Sequence, residues 1–372
     1  MKNRKLKIGI AGMRRGMGFG RLFASRKDCE VTAVCDLNQE RAHEAAAALG
    51  CEAMTDYDEL CNQELDAIVI VTPVPTHLDC TVKALDAGKH VLCEIPAVST
   101  LSEAKMLLAK VRDTGLKYMA AENVNYFPCI QQMHQMVKEG KIGDIAYAEG
   151  EYVHGLPLLC FNRDDGLGGG TSDKPSWRAS MDPIRYCTHE TGPLLMILED
   201  RVVSAVGMEG AVEVKTSRIT PTQFPTKVQT ALFKTERGRV IREVVAFFIS
   251  REPAHHFYAL YGTKGSIETD RYRWMDNLKV YLKDDPDHKE MFDMPTSVIH
   301  AGLPPEAVAG GHGTSEYLMI DDFVRAILED RTPPLDVYKA LEMTLPGICA
   351  AESIKRGGEP IPVPNYRVTH PR

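Results

Sequence analysis

The chain reads as a doubly wound α/β domain followed by an α+β domain with an open, mainly antiparallel sheet. Two observations predict this: the spacing of short β-branched runs and amphipathic stretches up to about residue 120, and the turn-linked strand runs that replace them after residue 200. In the first part the strands fall at Lys7–Ala11, Val31–Cys35, Ala67–Val71, His90–Cys93 and Lys117–Ala120. The clearest helices are Glu40–Leu49, Thr76–Ala87 and Leu101–Thr114. Strands that alternate with helices of this length form parallel βαβ units with right-handed crossovers. After Tyr126 one helix, Pro128–Glu139, precedes a strand at Ile145–Val153 and a loop rich in Gly and Asp at Asp164–Asp173. From Val202 to Leu282, turn signals such as Thr235–Gly238 and Gly262–Gly265 join strands into antiparallel hairpins. Two late helices, Glu316–Leu328 and Asp336–Arg356, are expected to brace that sheet. The expected domains are 1–125 and 126–372.

Bulk properties narrow the function. A length of 372 residues with 44% hydrophobic content suffices for two cores. A formal net charge of -7 offers no basic surface for nucleic acid, so a small ligand is expected. No apolar stretch approaches the ~20 residues of a membrane span. The start, MKNRKLKIGIAG, shows no secretory pattern, and ten cysteines lack the paired spacings of a zinc site or a disulfide scaffold. They read as reduced core thiols of a cytoplasmic protein, and no metal site is expected.

The first strand ends at Gly12 and runs through Met13, Arg14, Arg15 and Gly16 into a helix, where glycines would admit a pyrophosphate to the helix N-terminus. Arg14 interrupts a strict G-x-G-x-x-G spacing. The context compensates, because Asp36 ends the next strand at the spacing of a ribose-binding acid. A carboxylate there would repel a 2′-phosphate, which favours NAD over NADP; capping of the following helix is the competing role for Asp36. Thr72 and Pro73, with His77 behind them, and Glu94 through Pro96 lie at the carboxyl ends of later strands and are expected at the nicotinamide. This part is a Rossmann domain.

These residues, with Gly262–Gly265 and the Gly-Gly-Glu-Pro-Ile-Pro tail from Gly357, resemble the Gfo/Idh/MocA family over nearly the whole chain. The resemblance implies a Rossmann domain joined to an open sheet that carries a sugar site, and a homo-oligomer, dimer or tetramer, built through that sheet. Ordinary sugar dehydrogenases of the family carry Glu-Lys-Pro where this chain has Glu94-Ile95-Pro96, and many members place an Asp where Arg185 stands. The branch of NAD-dependent glycosidases typified by bacterial α-N-acetylgalactosaminidases also lacks the lysine. Ala121–Asn123 with Tyr126, Ala148–Tyr152 with His154, Tyr186–His189 before Gly192-Pro193, and Gly310–Gly313 look like that branch. The resemblance implies that Glu122, His154, Tyr186 and His189 surround the sugar, with Tyr186 and His189 catalytic. Arg185 and His312 are expected to contact the substrate, and Arg185 also to supply positive charge to Tyr186. His255 and His256 are read as lying outside the site, and the loop 161–176 as setting sugar stereochemistry.

The chemistry implied is hydride transfer at a ring carbon of a carbohydrate. It serves either glycoside cleavage with NAD retained or net oxidation of a sugar or polyol; a non-catalytic NAD and sugar sensor is the alternative of another class.

Overall fold

The computed structural model describes residues 4–155, 160, 176–215, 223–247, 249, 251, 255–273, 275–296, 303–308 and 312–367, with the side chains of 212–215, 223–226 and 255 excepted. They form two compact units, Met1–Tyr126 with His300–Leu341 and Phe127–Ile299 with Glu342–Arg372.

In the first unit the strands are β1 (Leu6–Ala11), β2 (Cys29–Cys35), β3 (Glu52–Met54), β4 (Ala67–Ile70), β5 (His90–Cys93) and β6 (Tyr118–Ala120). They form one sheet in the order β3-β2-β1-β4-β5-β6, with every pairing parallel. Strand order reverses between β1 and β4, so a crevice opens beyond their carboxyl ends, where open α/β sheets bind ligands. The helices are α1 (Met13–Ser25), α2 (Gln39–Leu49), α3 (Tyr57–Cys61), α4 (His77–Asp86) and α5 (Leu101–Thr114). β3 and α3 are too short to leave a clear period in the sequence.

In the second unit, α6 (Pro128–Lys138) leads to β7 (Ile145–Val153), followed by the one-turn α7 (Trp177–Ser180) and then α8 (Thr188–Leu198). The remaining strands are β8 (Val202–Lys215), β9 (Gln223–Thr235), β10 (Val240–Ala246), β11 (His255–Gly262), β12 (Gly265–Thr269), β13 (Asn277–Leu282), β14 (Phe292–Pro295) and β15 (Ile361–Pro362). Together with β7 they make a nine-stranded sheet in the order β14-β13-β12-β11-β7-β10-β9-β8-β15. All its ladders are antiparallel except one. β7 enters between β10 and β11 and runs parallel to β10, so the sheet is mixed. Along β10, Ile241, Glu243 and Val245 are buried while Arg242 and Val244 between them are partly exposed, the alternation of a sheet covered on one face.

The late helices correct one expectation. α9 (Thr314–Leu328) belongs to the first unit rather than to the unit that holds the second sheet. The reason lies on α1, where Arg26 pairs with Asp321 at 2.9 Å and Arg15 pairs with Glu316; Tyr126 also donates to Asp322 at 2.9 Å. The final helix, α10 (Val337–Lys355), does lie on the sheet in its second-unit portion. The amide of Gly207 on β8 donates to Ser353 at 3.0 Å, and a Cβ at Gly207 would come within 2.5 Å of the Ala350 carbonyl.

Candidate functional site

In the first unit, Gly12 adopts φ +93°, and a Cβ there would lie 2.6 Å from the Val71 carbonyl oxygen and 2.9 Å from the Thr72 amide. Only glycine lets the β1 turn run this close to the end of β4. As the N-cap of α1 it contributes no side chain to the first-turn amides, and that turn contains no acid. A helix start of this kind suits an anionic pyrophosphate.

The Asp36 carboxylate is buried at the end of β2. Its oxygens accept from the Met13 amide at 2.8 Å, the Asn38 amide at 2.9 Å and Arg41 Nη1 at 3.2 Å. The carboxylate therefore ties the glycine turn to β2. It is not the cap of α2, because Asn38 fills that position and accepts from the Arg41 amide at 2.8 Å.

Arg15 faces inward to carboxylates. Its Nε lies 3.2 Å from Glu94, its Nη2 bonds to Glu316, and His312 Nδ1 stands 2.8 Å from the same Glu316 oxygen. The expected residues Arg15, Glu94 and His312 are thus one network, with half of the His312 side chain exposed. Gly310 and Gly311 lie outside the described residues. His77 is buried and has a carbonyl at each ring nitrogen, Pro96 at 2.9 Å and Thr72 at 2.8 Å. Burial lowers its pKa against those carbonyls and Glu94, and the ring joins the two loops that carry Thr72-Pro73 and Glu94–Pro96. Glu122 is fully buried after β6 and accepts from the Val124 amide at 3.1 Å.

In the second unit, Tyr152 of β7 is the centre of an aromatic and imidazole cluster. His154 stacks on it at 4.2 Å and His189 at 5.6 Å, while Tyr186 and His256 meet it edge-on at 5.6 and 5.0 Å. Tyr186 ends a single helical turn, Pro183–Tyr186, and His189 is the second residue of α8, so the two rings lie 5.3 Å apart. β11 brings in the residue the sequence reading set aside. His256 pairs in register with Tyr152, and its ring stands 5.4 Å from His189 and 5.3 Å from His154. The side chain of His255, and residues 161–175 of the expected specificity loop, lie outside the described residues.

The charge beside Tyr186 also comes from a residue the sequence reading missed. Arg185 pairs with Asp182 at 3.7 Å, whereas the Arg178 guanidinium stands 4.6 Å from the centre of the Tyr186 ring and 4.7 Å from that of Trp177. Burial opposes the Arg178 charge, and the neighbouring Tyr186 and Tyr152 outweigh it, so its pKa is raised. Trp177-Arg178 follows the Gly-rich loop in the sequence, but no spacing there predicts an Arg against a Tyr eight residues on.

The first turn of α8 is held from below. Tyr258 donates to the His189 carbonyl at 2.7 Å, and Glu190 accepts from His256 Nδ1 at 2.9 Å. Thr191 Oγ1 lies 3.0 Å from the Cys187 carbonyl and 2.9 Å from Glu243 of β10. Burial holds the Glu243 carboxyl well above its ordinary range, against the contacts of Thr191 and Cys187. A neutral carboxyl satisfies both contacts, since Thr191 can then donate to the carbonyl and accept from Glu243. Gly150 makes the approach possible, because a Cβ on this β7 residue would meet the Glu190 Cβ at 2.6 Å. Among the described residues no group of three His, Cys, Asp or Glu is placed to hold a metal, and all ten cysteines are free.

Residues 6–122 match the model of an oxidoreductase family with an NAD-binding Rossmann fold, and residues 222–370 match the C-terminal domain of glycosyl hydrolase 109. The chain joins a Gfo/Idh/MocA-type NAD-binding domain to a domain of the glycosyl hydrolase 109 C-terminal type. The chain is 28% identical to a glycosyl hydrolase family 109 protein of Streptomyces filamentosus, over 97% of this chain and 77% of that protein. It is 25% identical to one of Saccharopolyspora erythraea, over 97% and 83%. Its fold is similar to that of a levoglucosan dehydrogenase in complex with NADH and L-sorbose, with TM-score 0.82 at 20% identity over 97% and 100% of the two chains. An NAD binding oxidoreductase from Klebsiella pneumoniae gives 0.76 at 20% identity over 97% and 99%. The Rossmann unit is an NAD-binding domain, and the glycine turn, which leads into a helix whose first turn carries no acid, fits that cofactor.

Proposed function

We propose that this oxidoreductase cleaves a glycoside while retaining NAD, with Tyr186 and His189 as its catalytic groups. The observation that carries this reading is the contact of the Tyr186 ring with both the Arg178 guanidinium and His189, in a chain with Ile95 where the family's dehydrogenases carry lysine. Bound NAD supplies reversible hydride acceptance from the sugar ring. Gly12 through Gly16 would hold its pyrophosphate, Asp36 would accept from a ribose hydroxyl, and Thr72, Pro73, Glu94 and Pro96 would border the nicotinamide.

His189 takes the proton of the C3 hydroxyl. A ketone at C3 acidifies the C2 proton, which Tyr186 removes; a guanidinium beside a phenol favours the ionised form that this step needs. The C1 substituent then departs, water adds, and the same groups return their protons. Two opposed carboxylates, the usual glycosidase device, are not required. Glu122, His154 and His312 are proposed substrate contacts, whereas Arg185, paired with Asp182, acts outside the ring contact made by Arg178.

Incubation with 4-nitrophenyl glycosides, including the α-N-acetylgalactosaminide, tests this. Release of nitrophenol through many turnovers, with no accumulation of NADH, is the expected result. Stoichiometric NADH without release establishes a net dehydrogenase instead, the reaction named for the levoglucosan dehydrogenase of similar fold. Binding of NAD and sugar with neither changed establishes the sensor.

The reading places this protein in the cytoplasm as a homo-oligomer. Support for assembly comes from the outer face of the second sheet, where Met208, Leu232, Val240 and Tyr261 are exposed.

A further inference from the structure

We infer that His256, with Glu190 behind it, is the general acid that protonates the departing glycosidic oxygen; this rests on the glycosidase reading above. That reading uses His189 and Tyr186 as proton acceptors and leaves the aglycone to depart as an alkoxide. A third acid–base group is therefore required for all but the best leaving groups.

His256 has the surroundings of such a group. The Glu190 side chain is fully buried and its Oε1 accepts from His256 Nδ1 at 2.9 Å, while a tenth of the His256 side chain remains exposed. A carboxylate at one ring nitrogen fixes the ring's orientation and stabilises the imidazolium, which leaves the proton on Nε2 as the one to donate. The ring lies among Tyr152, His154 and His189 at 5.0 to 5.4 Å, inside the group that carries the other acid–base residues. Its backbone is fixed by the β11 to β7 pairing, and Glu190 is fixed by the bonds to its neighbours, Tyr258 to the His189 carbonyl and Thr191 to Glu243. The Tyr258 ring lies parallel to the imidazole, with its centre 6.5 Å away.

The step balances. As Tyr186 takes the C2 proton, the electron pair of that C–H bond becomes the C1–C2 double bond and the C1–O pair leaves with the oxygen. The Nε2 proton of His256 passes to that oxygen and completes the alcohol. In the return direction a water oxygen bonds to C1, its proton goes to Nε2, and Tyr186 returns a proton to C2, so the ring ends as it began.

Leaving-group dependence tests the assignment, because a structural defect slows every substrate alike whereas loss of a general acid spares good leaving groups. His256→Asn retains a donor toward Glu190 and removes the transferable proton. With 2,4-dinitrophenyl, 4-nitrophenyl and methyl N-acetyl-α-galactosaminides, kcat/KM of the variant should fall less than about 5-fold for the first and more than about 100-fold for the methyl glycoside, with 4-nitrophenyl between. Glu190→Gln should show the same ordering with smaller losses, and it provides the test if His256→Asn does not fold. Equal losses across the series, or none, overturn the assignment. A wild-type enzyme that releases no aglycone from any of the three overturns the glycosidase reading and this inference together.

Discussion

Gly12 and Arg178 show how single positions set what each unit can do. At Gly12 the backbone lies in the left-handed region and a Cβ would meet the Val71 carbonyl at 2.6 Å. Gly12→Ala combines about 1–2 kcal/mol of backbone strain with that overlap, so the Kd for NAD should rise by about tenfold or more, read by titration of the purified protein. An unchanged Kd would remove the glycine turn from the cofactor site. Arg178→Met keeps the stem that packs on Trp177 and Tyr186 but deletes the charge. If that charge supports the ionised Tyr186, kcat should fall by about 10- to 100-fold with KM moving less, and activity should recover as pH is raised. Arg178→Lys should retain part of the rate. Gly12 was legible in the sequence because local geometry demands glycine after the first strand. Tyr186 and His189 could be singled out through the resemblance to the glycosidase branch, which implies a catalytic tyrosine and histidine three positions apart. Arg178 and His256 could not, since one meets Tyr186 across eight residues that follow no regular period and the other reaches the cluster only through the pairing of His256 with Tyr152 across two strands.

At the scale of elements, α8 is fixed to β7, β10 and β11 by contacts that the sequence does not announce. α8 is buried on nearly every side and so shows no amphipathic period in the sequence, its partner strands follow from sheet order, and β7 sits between β10 and β11 although more than eighty residues separate it from either. Gly150 is the point of closest approach. Gly150→Ala pushes against the Glu190 Cβ at 2.6 Å, an overpacking of about 1–3 kcal/mol, and should lower Tm by several degrees and kcat with it. Glu243 adds a pH dependence with a definite sign. Its folded-state pKa is raised well above the ordinary 4.5, so between those values the native state holds a proton that the unfolded chain has lost. Stability from this group is therefore fullest below about pH 4.5 and is lost as pH rises toward the folded value. Glu243→Gln, which cannot ionise, should make the fall in Tm between pH 5.5 and pH 8 shallower than in the wild type. Equal slopes in the two proteins would mean that Glu243 is ionised in the fold.

For the molecule as a whole, the α/β then α+β order was legible because helix and strand periods differ over long stretches. The return of α9 to the first unit was not, because it depends on Arg15 and Arg26 finding acids some three hundred residues away. The nine-stranded sheet poses the remaining question at this scale. One of its faces is covered, whereas the other exposes Met208 by 74%, Leu232 by 48%, Tyr261 by 39% and Val240 by 38%. Arg242 lies between these on the same face and is held at 2.7 Å by both Glu149 and Glu151, so the middle of the surface carries charges paired with one another, with Lys234 exposed beside Val240. A face that is apolar at both sides of a paired charge can complement itself about a two-fold axis, and a stable pairing of this kind covers about 800 Å² per partner. The assembly we propose therefore buries Met208 and Leu232. Light scattering on the wild type should give at least twice the 41.3 kDa of one chain, and the double variant Met208→Glu with Leu232→Glu should give a single chain with Tm falling only as far as lost assembly requires. NAD should still bind that variant, since the Rossmann unit carries its own core. A wild type of 41.3 kDa, or a double variant that stays assembled, would move the contact off this face and leave Leu232 as an exposed residue of a monomer.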